Sequence, residues 1–237
     1  MPILNVNHVS KIYGTKQKFK ALHDINFSVD KGEFVAIMGP SGSGKTTLLN
    51  VISSIDSISG GTVEISGNEI NQLSNKKLAQ FRKKELGFIF QDYSVLPTLT
   101  VKENIMLPLS VQKMKKDEME KNYQDVTEAL GIYDLSDKYP SEISGGQQQR
   151  TAAARAFVHQ PSIIFADEPT GALDYKTSKE ILTLICDINK KFNTTIIIAT
   201  HNEAISHITH RTIRLRDGEI HENISNNHVI AATELTW

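Results

Sequence analysis

One cysteine and one tryptophan occur in 237 residues, aromatics make up only 7%, and neither sign of charge is in excess. The lone Cys186 excludes a disulfide framework and points to a reducing compartment; its place in the apolar stretch Ile181–Ile188 reads as a small buried hydrophobe on a helix. The longest apolar runs, such as Ile196 to Ala199, are strand-sized against the ~20 residues that a spanning helix needs. If the protein works at a membrane, another chain must do the spanning. The start, Met1 to Val6, lacks the basic and then apolar order of a secretory signal. With 26 basic and 27 acidic residues the net charge is −1, so no global field argues for nucleic acid, and any partner must be recognised locally. Lysine-rich stretches at 76–84 and 113–121 are interleaved with polar and acidic residues at helical spacing and read as solvated helix faces. His207 and His210 stand i, i+3, but no cysteine or carboxylate cluster joins them as metal ligands.

What the chain does have is concentrated chemistry. Gly39-Pro40-Ser41-Gly42-Ser43-Gly44-Lys45-Thr46 follows the apolar strand Phe34–Met38 and leads through Thr47 into a helix. Glycines at these positions let backbone N–H groups turn inward on phosphates, the helix adds its positive end, Lys45 brings a point charge and Thr46 a hydroxyl for Mg²⁺. The chain is therefore expected to bind a nucleoside triphosphate. Ser162 to Ala166 is an apolar strand ending in Asp167 and Glu168, where the first carboxylate can hold Mg²⁺ and the second can polarise an attacking water.

A second anion site is predicted at Ser144-Gly145-Gly146-Gln147, just before a helix expected over 148–157. It stands about 100 residues from Lys45. If it lies away from Lys45 in space, a second subunit facing the first head to tail would complete the site. Three single residues join the list by position: Gln91 after a strand, reaching Mg²⁺ or water; His201 after the strand Thr195–Ala199, reaching a γ-phosphate; and Tyr13, whose ring offers a stacking face for adenine.

Strands are expected at Ile3–Val9, Ile25–Val29, Phe34–Gly39, Thr62–Ser66, Gly87–Phe90, Ser162–Ala166, Thr195–Ala199 and Thr212–Leu215. The early ones, separated by turn signals, suit a small antiparallel sheet; the later ones read as buried parallel strands. Between Gln91 and His159 the spacing is helical throughout. The polar tail from Asn223 has no clear pattern.

Taken in order, these residues resemble the nucleotide-binding subunit of ATP-binding cassette transporters over nearly the whole chain. The phosphate loop matches Walker A, Gln91 the Q-loop glutamine, Ile143–Gln147 the signature, Ile163–Asp167 Walker B with Glu168 as catalytic base, Gly171–Asp174 the D-loop, and His201 the switch histidine. Ile143 and Gly171 depart from the usual leucine and serine without removing a catalytic group.

The resemblance implies an α/β P-loop NTPase (RecA-like) core with an N-terminal antiparallel β subdomain and an inserted α-helical subdomain. The core would span 1–90 and 160–222, the helical signature subdomain 91–159, and a C-terminal tail 223–237. It also implies ATP hydrolysis with Lys45, Glu168 and His201 as catalytic groups, Thr46, Gln91 and Asp167 around Mg²⁺, and Asp174 with the signature at the nucleotide. The implied partners are a membrane permease and a second copy in an ATP-dependent head-to-tail dimer, the implied location the cytoplasmic face of a bacterial plasma membrane.

Within the family, the Gly39–Asn50, Ser144–Arg150 and Ala166–Asp174 segments are similar to the MacB, LolD and FtsE group. Phe88–Asp92 with Leu99–Ile105 resembles the bacitracin-type peptide-resistance ATPases.

Overall fold

A computed structural model describes residues 2–236. In chain order its strands and helices are β1 (Leu4–Tyr13), β2 (Phe19–Val29), β3 (Phe34–Met38), α1 (Lys45–Ile52), β4 (Gly60–Ile65), β5 (Asn68–Glu69), α2 (Asn75–Glu85), β6 (Leu86–Ile89), α3 (Val101–Gln112), α4 (Lys116–Ala129), α5 (Gly145–Phe157), β7 (Ile163–Asp167), α6 (Tyr175–Phe192), β8 (Thr195–Thr200), β9 (Arg211–Arg216) and β10 (Glu219–Ser225). Two sheets result. An antiparallel one has the order β2-β1-β4-β5, and a six-stranded one the order β10-β9-β3-β8-β7-β6, parallel except for β10 at its edge.

The six-stranded sheet is covered on both faces, which explains why β3 and β8 are buried along their whole length and read as continuous β-branched or apolar runs. Side-chain alternation sorts the residues between two cores. Phe34, Ala36, Met38, Ile164, Ala166, Ile196 and Ile198 face the core shared with α3 to α6. Val35, Ile37, Ile163, Phe165, Ile197 and Ala199 face the core shared with α1 and the antiparallel sheet. The phosphate loop, Gln91, Asp167 with Glu168, and His201 stand at the carboxyl ends of β3, β6, β7 and β8, the edge where an open α/β sheet gathers ligands; Ser144–Gln147 instead heads α5, and Tyr13 ends β1 of the antiparallel sheet.

Three expectations change. The helix after the second anion motif begins at Gly145 instead of 148, because Ser144 caps it and the two glycines form its first turn. The tail predicted to start at 223 does not detach there: β10 runs to Ser225 on the sheet edge, and Ala232 and Leu235 are buried in the helical-side core. Apolar residues there are too sparse to form a period, so packing, not pattern, orders the segment. The weakly patterned β5 was not expected either; it pairs through two residues only.

The segment joining β6 to α3 depends on one buried amide. Asn104, fully buried on α3, accepts from the Leu96 N–H (2.8 Å) and donates to the carbonyls of Leu96, Leu99 and Thr100 (3.0 Å each). Asn104→Ala strands those backbone groups and is expected to lower stability by at least about 2 kcal/mol, read as a fall in the denaturant midpoint.

Candidate functional site

The phosphate loop folds back on itself. Gly39 has φ 152°, and a Cβ there would lie 2.3 Å from the Leu215 carbonyl and 2.6 Å from the Ser43 hydroxyl. Gly44, at φ 102°, heads α1 in the left-handed region without a side-chain cap, which leaves the first N–H groups of that helix directed at the loop. Lys45 is buried and spans the loop, its Nζ donating to the carbonyls of Gly39 (2.8 Å) and Pro40 (3.0 Å). An anion entering the loop would exchange those two carbonyls for phosphate oxygens. Around it is a cavity of about 740 Å³ into which Pro40, Ser41, Gly42, Gly44, Lys45, Thr46 and Thr47 open, faced by Glu168 and His201.

Asp167 ends β7 beside the loop, with the Thr46 hydroxyl 3.4 Å from its Oδ1. Burial raises its pKa; the neighbouring Glu168 charge acts in the same direction, while the Thr46 hydroxyl and the Lys45 charge oppose it. A hydroxyl and one partly desolvated carboxylate form the donor set that suits a hard divalent cation sharing its shell with phosphate oxygens. No group of three or more histidine, cysteine or carboxylate residues suited to a metal occurs among the described residues, so such a cation would depend on those phosphates.

Glu168 follows with a left-handed φ of 44°, a conformation uncommon for a non-glycine residue. Its N–H is held by the Ala199 carbonyl (2.9 Å) and its carboxylate accepts from two donors: the Thr200 hydroxyl at 3.0 Å and His201 Nδ1 at 2.7 Å. With one oxygen on each, the Glu168 side chain is fixed at the cavity wall. His201 remains largely exposed and is paired to Glu168 through one ring nitrogen.

The other predicted residues gather elsewhere. Ser144 and Gln147 cap the start of α5 reciprocally, the Ser144 hydroxyl accepting from the Gln147 N–H (3.3 Å) and the Gln147 amide oxygen from the Ser144 N–H (2.9 Å). Gly146 needs to be glycine because a Cβ would run to 2.5 Å from Thr177 on α6. Asp174 caps α6, accepting from the Thr177 N–H and hydroxyl, and the Thr177 hydroxyl holds its carboxyl below the usual carboxylate range. Thus Ser144–Gln147 and Asp174 share one surface, and none of them lines the cavity around Lys45.

Gln91 is exposed after β6, its amide packed against Gly171; a Cβ on Gly171 would stand 3.1 Å from that amide. A side chain at position 171 would therefore crowd Gln91. Tyr13 lies outside the cavity lining, with its hydroxyl donating to Asp56 (2.8 Å) and the Lys11 ammonium 4.8 Å over its ring.

Several functional neighbours were missed. Phe19, 65% exposed at the start of β2, and Ala21 line the cavity; they come from a hairpin far from any motif and carried no signal. Thr200 was detectable as the hydroxyl ending β8 directly before His201. Thr177 is reached only through the packing of Gly146.

A model of the ABC transporter family matches residues 22–171. Among curated proteins, the bacitracin export ATP-binding protein BceA of Halalkalibacterium halodurans is 53% identical over 94% of this chain and 89% of its own length. The lipoprotein-releasing system ATP-binding protein LolD of Bacteroides fragilis is 37% identical over 92% of this chain and its whole length. Among solved structures, the ATP-binding cassette MJ0796, a dimer in a post-hydrolysis state bound to ADP and Pi, is 36% identical and superposes with a TM-score of 0.85 over 94% of this chain and 98% of its own.

Proposed function

The chain belongs to the ABC transporter family as an ATP-binding, ATP-hydrolysing subunit, and from that premise we propose that it powers a separate permease conferring resistance to envelope-targeting peptides. The observation that carries the mechanism is the division of its functional residues between two surfaces: Lys45, Glu168 and His201 around the cavity, Ser144–Gln147 and Asp174 away from it. Each chain then presents half of a site. In a head-to-tail pair, the signature turn and Asp174 of one copy close over the nucleotide held by the loop of the other.

Within that site Lys45 exchanges its loop carbonyls for the β- and γ-phosphates of ATP. Glu168, held by Thr200 and His201, accepts a proton from the attacking water, and His201 steadies that carboxylate while presenting its other edge to the γ-phosphate. Tyr13 and the nearby Phe19 supply ring surface for adenine. Thr46, Asp167 and Gln91 would hold Mg²⁺, which when bound neutralises phosphate charge.

No helix among the described residues is long and apolar enough to cross a membrane, so the motor's output leaves through a surface. The groove between the sheet and α3, into which Ser94, the 43% exposed Leu96 and Pro108 open, is proposed to receive a cytoplasmic helix of the permease at the inner face of the plasma membrane.

Co-expression with a permease gene found beside this one should give a detergent-stable complex holding two copies of this chain. Leu96→Asp, at an exposed position, is expected to release the complex while the isolated subunit stays folded, and cells carrying Lys45 or Glu168 substitutions should become peptide-sensitive. The likeness to the lipoprotein-releasing protein supplies the second reading. Unchanged peptide sensitivity combined with failed lipoprotein sorting would favour it.

A further inference from the structure

The groove proposed as the permease dock has a pronounced charge asymmetry. Its cavity of about 600 Å³ has apolar walls from Leu86, Phe88, Phe90, Leu107 and Val111, and its cationic lining residues Arg82, Lys83 and Arg155 face no carboxylate in the lining; His159 also lines it, with burial lowering its pKa. Of the carboxylates closest in sequence, Glu85 is engaged by Ser162 and Lys84, while Asp92 accepts from the Ser94 hydroxyl and acts on Arg155 through its charge without a hydrogen bond to it.

Arg155 is the most informative of the four. It is half-buried, burial pulls its pKa down, and its hydrogen bonds among the described residues go to backbone: Nη1 to the Ser94 carbonyl (2.7 Å) and Nη2 to the Tyr93 carbonyl (3.2 Å). A guanidinium has five donors and a fork matched to a carboxylate. Neutral carbonyls compensate a desolvated cation less well than a carboxylate does.

We propose that the helix received by this groove is amphipathic and carries an aspartate or glutamate that pairs with Arg155. The proposal rests on the docking reading above and specifies the chemistry of its occupant. Tyr93 and Ser94 have left-handed φ values of 61° and 47°, so Arg155 is holding an unfavourable stretch of backbone in place. The Tyr93 hydroxyl also sits against the signature turn, 2.9 Å from where a Gly145 Cβ would be. A carboxylate that draws Arg155 away from those two carbonyls releases the residues between Gln91 and the signature turn, so docking is felt at the nucleotide site.

Two labelled amphipathic peptides test this on the full-length protein by fluorescence anisotropy. Both carry the same leucine stripe; one has glutamates flanking it and the other lysines. The glutamate peptide is expected to bind at least about tenfold more tightly. Arg155→Gln should abolish that preference and Arg155→Lys, which keeps the cation but not the fork, should retain part of it. Should Arg155→Gln fail to fold, as judged by circular dichroism, Lys83→Gln is expected to reduce the preference roughly threefold.

Equal binding of the two peptides, no binding of either, or a preference indifferent to both positions overturns the proposal. Concentration-dependent self-association without nucleotide, abolished by Leu96→Asp, also overturns it by making a second copy the occupant. Survival of the permease complex in Leu96→Asp would remove the docking reading itself. Loss of that complex together with equal peptide binding would keep the dock and remove only its acidic recognition.

Discussion

Glu168→Gln is expected to hydrolyse ATP slower by on the order of 10²-fold or more while binding it as tightly as the unaltered protein. The change replaces one oxygen by an amide nitrogen of nearly the same size. Its remaining carbonyl oxygen can still accept from Thr200, and the amide can face the His201 ring in the other tautomer, so the geometry at 2.7 to 3.0 Å is preserved. What is lost is the capacity to take a proton from water. Lys45→Ala should differ in kind, because it removes the charge proposed to contact the phosphates and so weakens binding before any chemistry occurs. Measuring nucleotide affinity and single-turnover hydrolysis on the same preparations separates the two. Native-rate hydrolysis by Glu168→Gln would remove Glu168 from its assigned role.

Ser144→Arg is expected to lower turnover by on the order of 10²-fold, comparable to removing an anion-stabilising group, although Ser144 does not line the cavity that holds Lys45. Two effects act together. The hydroxyl that caps α5 is lost, at a cost of about 1 kcal/mol in helix stability, and the reciprocal bond with Gln147 goes with it. The larger effect is steric and electrostatic: a long cation fills the turn proposed to receive the partner's nucleotide. Because the substitution is at an exposed cap, the isolated subunit should keep its affinity for ATP. Glu168→Gln should show the same pairing of normal binding and slow turnover from inside the cavity; at Ser144, which lies outside it, that pairing is the outcome expected of a residue acting in trans.

How much of this was legible depends on whether chemistry and chain position coincide. The loop from Gly39 to Thr46 is contiguous and preceded by its own strand, so its glycines, lysine and hydroxyl could be assigned from order alone. Asp167 and Glu168 were equally plain, since they end an apolar run. The link from His201 and Thr200 to Glu168 was not, because it joins β7 to β8 across the sheet and depends on the left-handed turn at Glu168. Gly146 reads in sequence as a flexible anion cradle, whereas its close approach to Thr177 is visible only once α5 and α6 are packed. Phe19 was hidden for a similar reason, belonging to a hairpin whose return strand begins earlier than its apolar alternation suggests. The C-terminal segment was the largest omission: Leu235 is buried and its carbonyl accepts from Tyr175 and Lys179 on α6, yet no periodicity announces it.

The central claim is that each chain carries half of a nucleotide site and that ATP joins the halves. Static light scattering of purified Glu168→Gln protein tests it most directly, since that variant retains ATP instead of consuming it. Addition of ATP with Mg²⁺ should shift the mass from monomer to dimer, and adding Ser144→Arg to the same chain should leave it monomeric at saturating ATP. A mass unchanged by ATP in the Glu168→Gln protein, or a dimer that forms equally well with Ser144→Arg present, would contradict the account.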